Sequence, residues 1–364
     1  MIELSDYATQ ESGFPLLTSS RQGLFVQEDY FIDKQANAET TVFSVLPYGC
    51  ITYRHMSDDN IFHFNINRLV ANGLVSKEYP VFTVRKEVLD TDFLVDTLNS
   101  SPLFSVFCIQ QKKGGTRTRL YFKTLCSYQM FLPVLHEQQV IASFIRLLDK
   151  RIERQMELVE TLKKYKRGVV AAILSHQLKF SDATGSPYPE WTSCTLQDAV
   201  DFLDGQRKPL ESADRAKRQG QYPYYGASGI IDYIDDFIFD EPLLLLGEDG
   251  ANILNRSTPL CFIAEGKYWV NNHAHVMRPK VGQNIKFLCE LLESLDYTRY
   301  NTGTAQPKLN QEKCRRIELA LPVYEEQCRI ANFLSALDQR ADKAQSVLDY
   351  LLSNRAGLLQ QLFI

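Results

Sequence analysis

The chain has 364 residues, 45% of them hydrophobic, 23% charged and 11% aromatic, with a formal net charge of −4. That is the composition of a globular protein of two or three domains; it excludes a disordered or collagen-like chain and argues against indiscriminate polyanion binding. The longest apolar runs, such as Pro242 to Gly247, are strand-sized, so no membrane span is expected. The opening MIELSDYATQESG has no basic-then-apolar pattern, so no secretory signal is expected either. The eight cysteines (Cys50, Cys108, Cys126, Cys194, Cys261, Cys289, Cys314 and Cys328) never stand at CxxC spacing and read as reduced thiols of a cytoplasmic protein.

In chain order, residues 1–131 mix strand-like runs (YFID, TVFSVLPYGCITYRH, YPVFTV) with one helical stretch, LDTDFLVDTLNSSPLFSVFCI. Residues 132–180 begin LPVLHEQQVIASFIRLLDKRIERQ, contain no proline after the Leu-Pro start, and form the one block in which basic residues outnumber acidic ones. A long helix is predicted there. Residues 181–320 repeat the mixed pattern, with glycine turns between the strands of PYYGASGIIDYIDDFIFDEPLLLLGEDGA and a helix over IKFLCELLESL. Residues 321–364 begin LPVYEEQCRIANFLSALDQR and are predicted to form a second long helix.

The second half copies the plan of the first. At an offset of 189 residues and without a gap, Leu132/Leu321, Pro133/Pro322, Glu137/Glu326, Gln138/Gln327, Ile141/Ile330, Phe144/Phe333, Asp149/Asp338, Leu162/Leu351 and Gly168/Gly357 coincide. The same offset relates Gly114 to Gly303, Arg119 to Lys308 and Leu120 to Leu309, and a Leu-x-Asp opens each module, at Leu4 and Leu196. Steps of three and four residues pick out a heptad seam in both helices: Ile141, Ile145, Leu148, Ile152, Gln155, Val159, Leu162, Lys166, Val169 and Ile173, then Ile330, Leu334, Leu337, Ala341, Ala344, Leu348, Leu351, Arg355, Leu358 and Leu362. At 1.5 Å per residue each helix spans about 60 Å, far beyond an ordinary core helix. Its charged seam residues, Lys166 and Arg355, share one repeat position, where a basic residue fixes register or orientation. The expectation is an α+β protein: two pseudo-repeated α/β modules separated by two long antiparallel coiled-coil helices, a spacer with a reading head at each end.

Catalytic signatures are missing: GxxxxGK[ST], GxGxxG, Asn-Pro-Pro-aromatic, HExxH and GxSxG do not occur. His273 and His275 alternate as strand neighbours do, which is compatible with metal ligation, but no third ligand is evident and core or surface histidines are the simpler reading. Glu248-Asp249 reads as a solvated or capping turn after a buried strand. Nucleic acid suits other features better. Lys112, Lys113, Arg117, Arg119 and Lys123 crowd around Gly114-Gly115 without an acidic residue, and arginine offers bidentate contacts to guanine or phosphate. The equivalent stretch, Asn301 to Lys308, is weaker in charge but carries amides and hydroxyls. Arg215, Lys217 and Arg218 lead into Tyr222-Pro223-Tyr224-Tyr225-Gly226-Ala227-Ser228-Gly229. A solvated charged loop is the alternative reading, and recurrence at the repeat offset favours function.

The doubled Leu-Pro-x3-Glu-Gln-x2-Ile-x2-Phe, with the series YPYYGASGII, GEDGA, WVNNHAHV and TGTAQPKLN, resembles the specificity subunit of type I restriction–modification systems over essentially the whole chain. The first module resembles another target-recognition subtype, through Pro15-Leu16-Leu17-Thr18-Ser19 and Gly23 with Tyr30-Phe31. The resemblance implies target-recognition domains at 1–131 and 181–320 and conserved spacer helices at 132–180 and 321–364. It implies a non-catalytic bacterial or archaeal subunit reading a bipartite asymmetric site in double-stranded DNA. Its partners would be two adenine methyltransferase subunits, which use S-adenosylmethionine, and restriction/translocase subunits, which use ATP and Mg²⁺. The expected DNA contacts are Lys112, Lys113, Arg117 and Arg119 in the first head and Tyr224, Tyr225, Ser228, Asn272, His273, Gln306 and Lys308 in the second. A recognition subunit of a type II-like system would look nearly the same, and a coiled-coil protein adaptor is the rival of a different class.

Overall fold

The structure, a computed structural model, describes residues 1–30, 41–303 and 306–363. Phe31 and the rest of the expected YFID strand, the side chain of Tyr30, and Thr304-Ala305 lie outside the described residues. The chain divides into two compact units, residues 1–157 with 345–364 and residues 158–344. Compactness thus cuts both long helices, assigning each unit part of either one, where a linear reading places boundaries at the helix starts.

In the first unit an antiparallel sheet runs in the order Ile2–Leu4, Val81–Thr83, Ile51–Tyr53, Phe64–Ile66. Beside it lie a second sheet, Tyr7–Ala8, Phe43–Pro47 and Asn72–Ser76, and the hairpin Leu17–Ser20/Gly23–Val26. The helical stretch expected as one piece is two helices, Thr91–Ser100 and Pro102–Gln110. The break follows from chemistry: proline cannot donate inside a helix but suits its first turn, and Ser101 caps the second helix by accepting from the Phe104 amide. Both pack on a core of Tyr53, Phe64, Phe82, Phe104, Leu120 and Leu125, where the Tyr53 hydroxyl donates to Leu120 O at 2.9 Å.

The second unit holds two four-stranded sheets. One orders Val200–Phe202, Ala274–Pro279, Leu243–Gly247, Cys261–Ala264, all antiparallel; the other orders Gly229–Ile234, Gln219–Gly226, Lys267–Val270, Phe239–Asp240 and includes a parallel pair. Leu243 to Leu246 are all fully buried, the continuous apolar pattern of a strand covered on both faces. The amphipathic helix Ile285–Ser294 lies against Cys261–Ala264 and contributes Phe287, Leu288, Leu291 and Leu292 to the core.

The long helices span Leu135–Leu174 and Tyr324–Leu362. Within each unit they pair antiparallel. In the first, Ala142 and Ile145 of one helix pack with Leu359 and Phe363 of the other chain end, and the Arg355 guanidinium grips the Asp149 carboxylate. In the second, Val170 and Leu174 stand against Ile330 and Leu334, and Lys166 Nζ lies 2.7 Å from Asp338 Oδ1 and 2.6 Å from Glu290 Oε1. These ion pairs exchange under the repeat: Lys166 and Arg355 are equivalent, and so are Asp149 and Asp338. Of the expected seam, Val159, Ile330, Leu337, Leu348 and Leu351 are buried and Ile141, Leu148 and Leu162 half-buried. The seam shifts at the end of the second helix, where Leu359 and Phe363 are buried and Leu362 is exposed. Two consecutive four-residue steps beyond Arg355 carry it there, in place of the expected Leu358 and Leu362.

The repeated glutamine of each Leu-Pro motif has one job in both units. Gln138, fully buried, accepts from the Asp90 amide at 2.9 Å and donates to Pro133 O at 2.9 Å. Gln327 accepts from the Asn284 amide and donates to Pro322 O, again both at 2.9 Å. Asp90 and Asn284 are the N-caps of Thr91–Ser100 and Ile285–Ser294. The side-chain amide therefore ties the start of each long helix to the start of the helix packed against its module.

Candidate nucleic-acid interface

In the first head the basic loop follows the helix Pro102–Gln110. Gly114 and Gly115 take φ of +72° and +78°, a left-handed pair that reverses the chain and that side-chain-bearing residues rarely adopt. The loop then joins a short ladder, Thr118↔Ser57 and Arg119↔Met56. Thr118 is buried, its hydroxyl donating to Asn60 Oδ1 at 2.5 Å, so the arginines on either side face outward. Arg117 Nε donates to Asp58 Oδ1 at 2.7 Å, with both groups more than half exposed. Lys113, Arg117 and Arg119 line one open groove of about 590 Å³ together with Tyr121, and Lys112 is exposed beside it. The structure brings together the four expected basic residues. Sequence reasoning missed Tyr121, whose exposed ring stacks on His55 at 5.7 Å, and Asp58, the counter-charge of Arg117.

In the second head three turns converge. The Glu248 amide donates to His273 O at 2.8 Å, Gly250 donates to Pro307 O at 3.0 Å and Leu309 to Glu248 O at 2.7 Å, so the turns at 248–250, 272–273 and 306–308 form one surface. The tip of the hairpin Gln219–Gly226/Gly229–Ile234 joins them because Gly247 has no side chain: a Cβ there would stand 2.6 Å from Ala227 O. This surface carries Ser228, Asn272, His273, Gln306 and Lys308, all exposed. Beneath it, Glu248 accepts from Arg207 Nη1 at 2.8 Å and pairs with Lys308 Nζ at 3.3 Å, while His273 Nδ1 lies 2.8 Å from Asp249 Oδ2. Arg207 also donates to Ala274 O at 2.7 Å, anchoring the 272–273 turn. Arg207 was not singled out in the sequence; its one signal is the three-residue spacing from Asp204, with which it pairs.

Of the expected contacts, Tyr224 is buried and Tyr225 half-buried. Tyr224 is 1% exposed; its hydroxyl accepts from the Leu210 amide and its ring lies under Arg215, so it is a core residue without access to a ligand. Tyr225 packs its ring between Phe262 and Tyr268 and is half-buried, with burial pushing its phenol pKa up. The basic stretch before them is internally neutralised. Arg215 pairs with Asp232, and Arg218 pairs with Asp235 while stacking over Trp269; these contacts stitch the hairpin to its module. Only Lys217 of that stretch stands well out, at 78% side-chain exposure.

His275 lies fully buried under the same surface. Its Nδ1 is 2.7 Å from Asp204 Oδ2 and its Nε2 is 2.8 Å from Leu309 O. Both partners are acceptors, so both ring nitrogens carry protons. Burial alone lowers a histidine pKa, but the Asp204 carboxylate and the Cys314 thiol outweigh it and hold His275 at about 10. Asp204 also accepts from Gln311 Nε2 and the Val276 amide, tying three segments together. The two histidines thus take separate carboxylates, and no group of three or more metal-ligating side chains occurs among the described residues. Among those residues, too, no helix is long and apolar enough to cross a membrane.

The family described as "Type I restriction modification DNA specificity domain" matches residues 72–164 and 188–347, one match in each half. A putative type I restriction enzyme specificity subunit of Haemophilus influenzae is 33% identical over 149 residues, 41% of this chain and 37% of that protein. The specificity subunit of the type I restriction enzyme EcoprrI of Escherichia coli is 24% identical over 205 residues, 52% of this chain and 50% of that protein. The chain thus spans half or less of the length of these curated relatives. The crystal structure of a type I restriction–modification S subunit from M. genitalium aligns over 99% of this chain and 96% of its own, with a TM-score of 0.58 and 16% identity. A structure from a study of complex assembly and conformational transition in a type I system aligns over 88% and 83%, with a TM-score of 0.55 and 15% identity. These two likenesses concern the fold.

Proposed function

The chain belongs to the family of type I restriction modification DNA specificity domains, and from that premise we propose that it is the non-catalytic, sequence-reading subunit of a type I restriction–modification complex, recognising a bipartite, asymmetric site in double-stranded DNA. The observation that carries the reading is the doubling: the family domain matches once in each half, and each half presents its own polar loop surface. Two heads that differ in their exposed side chains read two different half-sites, and the antiparallel helix pair sets the gap between them.

The chemistry of the two surfaces divides the work. The first-head loop is cationic and offers arginine forks to guanine edges and lysines to phosphate. In the second head Glu248 engages Lys308 and Asp249 engages His273, leaving the amides of Asn272 and Gln306 and the Ser228 hydroxyl to read base edges. Affinity for phosphate must then come largely from elsewhere, which a net charge of −4 makes necessary. Two methyltransferase subunits docked on the helices would supply it, together with S-adenosylmethionine chemistry. Restriction/translocase subunits would bring ATP and Mg²⁺.

The test is methylation itself. Co-expressed with a methyltransferase subunit, the chain should confer adenine methylation at a two-part motif with a fixed gap. Exchanging residues 181–320 for those of another specificity subunit should change one part of the motif only.

A further inference from the structure

The basic loop of the first head runs on past its glycines into a two-stranded ribbon whose faces are cleanly divided. Thr118 lies opposite Ser57 and Arg119 opposite Met56. The bond from the Leu120 amide to His55 O at 2.8 Å carries the same register one step further. His55, Ser57, Thr118 and Leu120 are all buried. The residues between them take the opposite face, as alternate positions on a strand must. Arg54, Asp58, Arg117, Arg119 and Tyr121 are exposed and Met56 is half-buried. The outer face therefore has three rungs: Asp58 beside Arg117, Met56 beside Arg119, and Arg54 beside Tyr121.

The ribbon is held from below and at its tip. From the core, the Tyr53 hydroxyl donates to Leu120 O at 2.9 Å. At the tip, Asp59 accepts from Arg21 Nη2 at 2.6 Å, from the Ser57 hydroxyl at 2.8 Å and from the Ile61 amide at 3.2 Å. An open groove flanks each strand. One, of about 1000 Å³, is lined by Arg54, Met56 and Asp58 together with Arg21 and Lys77. The other, the groove of about 590 Å³, is lined by Arg117, Arg119 and Tyr121 together with Lys113. The outer face is thus a ridge between two hollows, each with cationic side chains of its own.

We infer that this ribbon, residues 54–58 with 117–121, is the base-reading element of the first head, laid along the DNA major groove with a phosphate backbone in each flanking hollow. Resting on the sequence-reading function proposed above, this role adds Arg54, Met56 and Asp58 to the residues that set specificity. A major groove about 12 Å wide admits a two-stranded ribbon, whereas a minor groove of about 6 Å does not. Successive rungs stand about 6.8 Å apart, close to two base-pair steps of about 3.4 Å, so the three rungs meet successive parts of one half-site. Arg117 donates to Asp58 through Nε at 2.7 Å, which leaves its two terminal nitrogens to grip a guanine edge, with Asp58 as its positioning residue. Arg119 and Arg54 offer the second and third forks, and apolar Met56 suits a thymine methyl.

The test is the adenine-methylation motif conferred by the full chain with a methyltransferase subunit, first for the wild type and then for variants. Arg117→Ala, Met56→Ala and Arg54→Ala should each relax base preference at least about fivefold at a different position of one half-site, in that order along the DNA. Asp58→Ala should relax the same position as Arg117→Ala, and Asp58→Asn, which keeps an acceptor for Nε, should restore it. The other half-site and the gap should not change. Arg54→Lys keeps the charge and loses the fork, so it should still mark DNA while relaxing the Arg54 position. A half-site left intact by these variants, an even loss at all sites, or effects of Arg54 and Arg117 at one and the same base pair overturns the assignment. So does a complex silenced by Arg54→Lys, which makes that residue structural. A wild-type chain that confers no two-part motif removes the sequence-reading function itself and this role with it, an outcome distinct from an intact motif indifferent to the ribbon.

Discussion

His275 shows how a single residue can organise a surface it never reaches. Its two N–H groups tie Asp204 to the carbonyl of Leu309, and the loop carrying Gln306 and Lys308 leads directly into that carbonyl. Because the folded pKa is about 10 against an ordinary value near 6.5, the charged imidazole contributes stability in full below pH 6.5. That contribution is lost as the pH rises through 10. Nitrogen-detected spectra at pH 8 should therefore show both His275 nitrogens protonated, and His275→Gln should flatten the stability profile between pH 6.5 and 10; a neutral-ring spectrum at pH 8 would contradict this. In the first head, Arg117→Ala and Arg119→Ala should each relax specificity at one half-site by about 1–3 kcal/mol, whereas Lys112→Ala should weaken all DNA alike. Binding isotherms on matched and mismatched duplexes separate the two effects. The basic cluster at 112–119 was legible because charge and glycine concentrate locally in sequence. Tyr224 was misread because an aromatic on a hairpin looks the same whether its ring faces solvent or core, and Arg207 gave little signal because, Asp204 apart, its partners stand 41 and 67 residues away.

Between elements, the repeated glutamine and the exchanged ion pairs are the devices the two halves share. Gln138 and Gln327 each satisfy a helix N-cap amide and a proline carbonyl in a buried setting, so Gln138→Ala or Gln327→Ala should cost about 1–3 kcal/mol by stranding both partners. Denaturant unfolding measures this. Six residues beyond the two N-caps stand Asp96 and Glu290. Glu290 is satisfied by Lys166, whereas burial and the neighbouring Asp149 charge push Asp96 up to about 7. A raised carboxyl pKa means that ionisation costs the folded state, so stability is present below the unfolded value and falls as pH rises through 7. Asp96→Asn should accordingly stabilise the first unit above pH 7 and change little below pH 4, which thermal unfolding at both pH values will show. The helices, their length and their equivalence could be read from periodicity and the 189-residue offset. The break at Ser101-Pro102 was signalled by the proline yet masked by the apolar run across it. The seam shift to Leu359 and Phe363 was hidden because Leu358 and Leu362 fit the heptad equally well.

For the whole molecule, the two modules keep a common plan while their surfaces diverge, which is what separate half-site readers require. The repeat, the absence of catalytic motifs and the modest charge were all visible in the amino-acid order. The burial of Leu321 and Glu326 against the exposure of Leu132 and Glu137 was not, because it depends on Thr192–Thr195 pairing with Glu318–Leu321. The most direct measurement is single-molecule sequencing of adenine methylation in cells that express this chain with a methyltransferase subunit. Methylation is expected at one bipartite, asymmetric motif with a fixed gap. An assembled complex that leaves no new methylation, or that marks only a single undivided sequence, would contradict it.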